Sequence, residues 1–154
     1  MSFKLIVPLN FALCFSGQAL AFGSHDTWTS GFAQGTAEYT ILGKGQSQLY
    51  LACDSSGSQA ATIIFTDVRG HQVSMDSGQS LTMKIDNAEA ADISESGSHV
   101  GEDNLMWAWN KLRTGKRVIV SGSGVKPAVF TLNGAAGVIP AFGDDGCVAK
   151  FDVP

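Results

Sequence analysis

The sequence predicts a mainly β domain: a single β-sandwich with one late amphipathic α-helix and a short C-terminal apolar segment. Three observations predict it. Short β-branched or alternating runs recur through the middle of the chain, Gly, Asp, Asn and Ser separate them at near-regular intervals, and one stretch alone, ending at Gly115, carries a clear helical period. Strands regularly interleaved with helices, the mark of a parallel sheet, do not fit this order.

Taken in order, Met1 to Ala21 has a lone Lys4, an apolar run from Leu5 to Phe15, and the small-residue finish Ala19-Leu20-Ala21. That is the pattern of a secretory signal peptide. The run falls well short of the roughly 20 residues that span a bilayer and is interrupted by Pro8 and Asn10, so no membrane span is expected. Cys14 follows Leu13, where a lipoprotein signal needs a small residue, which favours soluble export to the periplasm or beyond. Cleavage near Ala21 leaves residues 22–154, about 130 residues, enough for one domain with its own core.

From Phe22 to Gln46 the chain is rich in Gly, Ser and Thr, with Trp28 and the run Ala37 to Leu42 as its dense apolar features. This reads as an irregular lead-in followed by one strand. In QLYLAC, Leu49, Leu51 and Cys53 alternate with Tyr50 and Ala52, the period of a half-buried strand with Cys53 on the core side. Asp54 to Gln59 turns, Thr62 to Thr66 is a β run, Asp67 to Gly70 turns again, and His71 to Met75 pairs back as a hairpin. After Asp76 to Gly78, Leu81, Met83 and Ile85 alternate with Ser80, Thr82 and Lys84. Asp86-Asn87 reverses that strand, and Ala88 to Ile93 is a weaker one.

Leu105, Trp109 and Leu112, with Ala108 between them, form one apolar helical stripe of about three turns. Asp103 is placed to cap it, Lys111 and Arg113 suit its negative C-terminal end, and Gly115 stops it. Arg117 to Ser121 and Ala128 to Leu132 are then two strands around a breaker-rich loop. The segment AAGVIPAF is apolar enough to pack on the core. Pro140 keeps any helix there brief, so the segment acts as a lid that brings Cys147 back to the body.

Removal of Cys14 leaves the pair Cys53 and Cys147 in an oxidising compartment, which predicts a disulfide. In the chain-entropy model such a bridge contributes at most about 4 to 5 kcal/mol. A formal net charge of −4 argues against nonspecific binding to nucleic acid or anionic lipid. The basic residues Lys111, Arg113, Lys116 and Arg117 are accounted for by charge complementarity at a helix end.

The search for catalytic motifs is negative: there is no HExxH, no GxSxG, no GxGxxG and no phosphate loop around Gly115-Lys116. His25, His71 and His99 are scattered. Asp92, Glu95, His99, Glu102 and Asp103 surround a Ser/Gly loop before the helix, and they read as a solvated acidic loop at a positive helix end, with no metal or other cofactor expected. Trp107 and Trp109 lie about 200° apart on a helix, so they cannot share one core. With Trp109 in the stripe, Trp107 lies either under a neighbouring loop or in a partner site; in the second reading it forms, together with Lys111 and Arg113, the candidate binding set.

The order LYLAC, LTMKIDN, a helix ending L-R-T-G-K, and FTLNGAAGVIPAF followed by a cysteine resembles the type VI secretion accessory proteins called VasI or TagO. It also resembles, more loosely, the invasion-associated locus B family. The similarity spans about residues 49–147. It implies a periplasmic or exported β-sandwich, bridged between Cys53 and Cys147, with a binding or accessory role toward another envelope or secreted protein. Two further functions fit the residues: a small exported hydrolase using the acidic loop with His99, and an inhibitor or immunity-type protein that plugs another protein's site.

Export and the even cysteine count generate the first prediction. Intact-mass analysis of the exported protein should give a species starting near Phe22 that takes up alkylating agent only after reduction. Alkylation without reductant would refute the disulfide.

Overall fold

The computed structural model describes residues 22–154; the predicted signal peptide, with Lys4 and Cys14, lies outside the described residues. Strands β1 (Thr29–Ala33), β2 (Thr36–Leu42), β3 (Gln48–Asp54), β4 (Thr62–Thr66) and β5 (Gln72–Ser74) form one antiparallel meander in sequence order. Strands β6 (Leu81–Ile85), β7 (Ala91–Asp92), β8 (Arg117–Gly122) and β9 (Ala128–Thr131) form a second antiparallel sheet in the order β7-β6-β8-β9. Helix α1 (His99–Thr114) connects β7 to β8, and a single helical turn, α2 (Ala135–Val138), follows β9.

Period-2 alternation is what makes this a sandwich. In β3 the buried residues are Leu49, Leu51 and Cys53, and register places Leu49 between Ile41 and Phe65, and Leu51 between Tyr39 and Ile63. In the second sheet Met83 pairs with Val120, and Val118 lies between Ile85 and Phe130. These two apolar faces close on each other as one core, and the Phe65 and Phe130 rings meet edge to face at 6.0 Å between centroids.

Cys53 and Cys147 are bonded, S–S 2.06 Å, joining β3 to the end of the chain. The close approach depends on Gly146, whose φ is +77° and where a Cβ would drive into the Asp54 carbonyl. As the sequence predicts, the AAGVIPAF segment packs on the core through Ala135 and Ile139 and gives one helical turn before Pro140.

The structure corrects the sequence reading at three elements. The lead-in before Ala37 contains β1, which pairs along its full length with β2. The TSGFA segment has no apolar alternation, so its strand character comes from that pairing, closed by the two-residue turn Gln34-Gly35 with φ of 52° and 81°. The weak strand Ala88 to Ile93 is cut to Ala91–Asp92. Asp103 is not the N-cap. The helix starts a turn earlier, at His99, because the Ser98 hydroxyl accepts the Gly101 amide at 3.0 Å. Gly101 admits this close packing, since a Cβ there would collide with the Glu95 carboxylate and carbonyl.

The two sheets are also joined by a buried carboxylate. Asp67, fully buried, accepts the Arg69 and His71 amides of its own turn and, through its other oxygen, the Lys126 amide of the β8–β9 loop at 2.9 Å. These donors favour the anion and hold its pKa below the ordinary carboxylate value, the Lys126 bond contributing most.

The disulfide and the buried carboxylate can each be tested. Cys53→Ser and Cys147→Ser should each cost about 2–5 kcal/mol, and the double variant should cost little more than either, because all three remove one bridge. Denaturant melts check this; additive losses would show that the thiols act separately. A folded pKa below the unfolded one makes Asp67 stabilising above the unfolded carboxyl pKa, a contribution lost as pH falls through the folded value. Asp67→Asn should therefore lower the melting temperature more at pH 7 than at pH 3, and an equal drop at both would remove the charge from the explanation.

Candidate functional site

Helix α1 divides sharply into two faces. Leu105, Ala108, Trp109 and Leu112 are buried. The Trp109 indole N–H donates to the Pro140 carbonyl at 3.0 Å and its ring meets Phe142 edge to face at 6.2 Å between centroids. The neighbouring turns add two more fixings: Arg113 Nε donates to the Ile139 carbonyl at 2.9 Å, and the Asn110 side-chain oxygen accepts the Phe142 amide at 3.0 Å. The helix is thus fastened to the C-terminal segment by three side chains along its inner flank.

On the outer face Trp107 is 38% exposed and Met106 41% exposed. They line a shallow groove of about 450 Å³ together with Asn110, Lys111 and Thr114. The Lys111 ammonium stands 6.0 Å from the Trp107 ring centroid, a cation over an aromatic face. Val100, 68% exposed, extends the apolar surface two turns toward the helix start. An aromatic ring, a thioether, an amide and a cation on a fixed helix can take up an apolar side chain and orient a nearby acceptor or carboxylate.

Of the three candidate binding residues, the structure brings Trp107 and Lys111 together and separates Arg113 from them. Arg113 is half-buried and committed to Ile139, so its role is to hold the C-terminal segment. Met106, Asn110 and Thr114 do not stand out in the sequence. Their signal lies in the spacing, since i, i+4 and i+8 from Met106 run beside Trp107 and Lys111 on one side of a helix. Lys116 and Arg117 belong to another place, where their amides donate to the Asp86 carboxylate at 3.1 and 3.2 Å.

The acidic loop is built differently from a binding site. Glu95 accepts the Gly97 amide at 2.8 Å, the Ser98 amide at 3.0 Å and the Ser98 hydroxyl, and that hydroxyl leads in lowering its pKa. Asp92 accepts the amide and hydroxyl of Ser94, whose hydroxyl lowers its pKa in the same way. His99 lies in the first helical turn, 3.4 Å from Glu102 and 3.8 Å from Asp103, with Phe151 beside its ring. Among the described residues no three His, Cys, Asp or Glu side chains converge as metal ligands. Among them, too, no helix is long and apolar enough to cross a membrane.

A family model, YfjT, matches residues 26–139. That range takes in both sheets, α1 and α2, and covers well over half of the chain, so the chain belongs to the YfjT family. No curated protein and no solved structure matches it significantly.

Proposed function

We propose that this YfjT-family domain is a noncatalytic interaction module of the bacterial envelope, acting in the periplasm or outside the cell and docking another protein on the Trp107 face of α1. The observation that carries the reading is a large aromatic ring, 38% exposed and flanked by exposed Met106 and a cation, on a helix whose opposite face is fastened to the core. Tryptophan is enriched at the hot spots where partners bind. The disulfide supports an oxidising compartment, and the sequence resemblance to VasI/TagO-type accessory proteins points to the same kind of role.

The rigid helix gives this face the property a docking surface needs, because side chains held in place lose little freedom on association. Lys111 over the ring favours a partner surface that places an acidic group beside an apolar one.

Paired melts and pull-downs from envelope extract test the proposal. Trp107→Ala should change stability by less than about 1 kcal/mol and weaken partner capture by about 2 kcal/mol or more, roughly 30-fold. Trp109→Ala, two residues away, should instead cost about 3–5 kcal/mol of stability as a core truncation. A Trp107→Ala variant that unfolds, or that captures every partner the wild type captures, would overturn the assignment of this face.

A further inference from the structure

The two sheets differ in what their outward faces carry. Residues opposite each other in an antiparallel ladder share a face, and so do alternate residues along a strand. In the first sheet the positions turned away from the core hold Glu38 and Asp54 and no cation. In the second, Lys84, Ile119 and Val129 form one outward row across β6, β8 and β9, and Arg117 and Thr131 form the next. Their neighbours along the strands, Met83, Val118, Val120 and Phe130, are the residues buried in the core.

The outward face of the second sheet is open. Val129 is 52% exposed, Lys84 and Arg117 are exposed, and Ile119 is half-buried. Beside Val129 the surface dips into an apolar groove of about 360 Å³, walled by Val68, Pro127, Ala128 and Lys44, and exposed Lys126 precedes Pro127. Asp67 holds the groove in shape, since its carboxylate bonds the turn that carries Val68 to the loop that carries Pro127. Four of the chain's ten Lys and Arg residues thus adjoin one apolar strip, in a protein of net charge −4. Among the described residues none of the four pairs with a carboxylate, because every ion pair there involves a histidine. Two carboxylates border the face, and both are engaged: Asp86 accepts the Lys116 and Arg117 amides, and Asp92 accepts the amide and hydroxyl of Ser94.

We infer that this face docks an acidic polypeptide segment, whose carboxylates meet Lys44, Lys84, Arg117 and Lys126 while an aliphatic or aromatic side chain covers Ile119 and Val129 or enters the groove. Charge complementarity sets the sign of the partner, because cations without a carboxylate of their own are satisfied by one brought beside them. The apolar strip sets its class. A nucleic acid offers phosphates but no aliphatic side chain, and the outward rows hold no aromatic ring on which a base could stack. A bilayer takes up apolar groups that enter it, whereas Ile119 is half-buried in a sheet and the groove is concave. The face is built from β6, β8, β9 and the turns beside them, so it stands independently of the Trp107 face on α1.

Fluorescence anisotropy with a short capped peptide of glutamates around two central leucines tests this, with thermal melts on every variant. The wild type should bind the peptide with a Kd below about 1 mM, more weakly as salt rises. Lys84→Glu and Val129→Glu should each weaken binding about tenfold or more with melting nearly unchanged. Trp107→Ala should leave peptide binding unchanged, which separates this face from the one on α1. The glutamine counterpart of the peptide and an all-glutamate peptide should each bind about tenfold more weakly or worse. No binding by about 1 mM, equal binding of either control peptide, or variants that bind like the wild type would overturn the inference. So would Lys84-dependent binding to phosphatidylglycerol vesicles in place of the peptide, which assigns the face to a membrane, or Lys84-dependent self-association, which assigns it to the acidic sheet of a second copy.

Discussion

The buried indole of Trp109 is the contact on which this end of the molecule depends. A polar N–H inside a core must find an acceptor, and here it finds the Pro140 carbonyl at 3.0 Å, in the segment that follows α2. That single requirement fixes where the C-terminal segment lies. Once Pro140 is held, Ile139 and Phe142 are within reach of Arg113 and Asn110 on the same flank, and the chain runs on to place Cys147 at β3. The helix, the segment and the disulfide therefore form one closed circuit around the sandwich. Weakening the helix contact loosens the covalent loop's approach, and opening the bridge frees the segment that the helix grips.

The same geometry explains why one tryptophan is structural and its near neighbour is not. Two positions on a helix turn the side chain through about 200°, so burying Trp109 against Phe142 commits Trp107 to the opposite side. Trp107 stays 38% exposed, and Lys111 reaches over its ring from one turn later. The exposed aromatic face is thus a geometric consequence of the packing face. Stability and the proposed binding role are carried by different residues of one element, which is what lets a surface evolve without disturbing the core beneath it.

Much of the fold is legible in the sequence because its strands are half-buried. Leu49, Leu51 and Cys53, or Leu81, Met83 and Ile85, alternate strictly since one side of each strand meets the opposite sheet. β1 lacks that signal: Phe32 is exposed, and what holds the strand is backbone pairing, which leaves no trace in side-chain pattern. The helix start is obscured for a related reason. Asp103 lies close to the first residue of the apolar stripe, Leu105, whereas the first turn from His99 is mostly polar and is begun by Ser98 under the Glu95 carboxylate. The candidate site is half legible. The angle between the tryptophans follows from sequence alone, but the burial of Arg113 and its hold on Ile139 depend on where AAGVIPAF folds, a tertiary fact that spacing along α1 does not contain.

The acidic loop shows how a cluster of ionisable residues can be spent on architecture. Asp76 accepts the Ser96 amide at 2.7 Å and hydroxyl at 2.8 Å, and that same hydroxyl accepts the Lys150 amide at 3.0 Å, so the loop before α1 is tied to the β5–β6 turn and to the chain's last turn. Glu95 and Asp92 are likewise absorbed by the amides and hydroxyls of the serines that follow them. Each carboxylate satisfies donors that would otherwise be left at a helix N-terminus or in a tight turn, where an anion is favoured. With these groups so engaged, the loop fastens the start of α1, and the helix carries Trp107, Met106 and Lys111 on its exposed outer face.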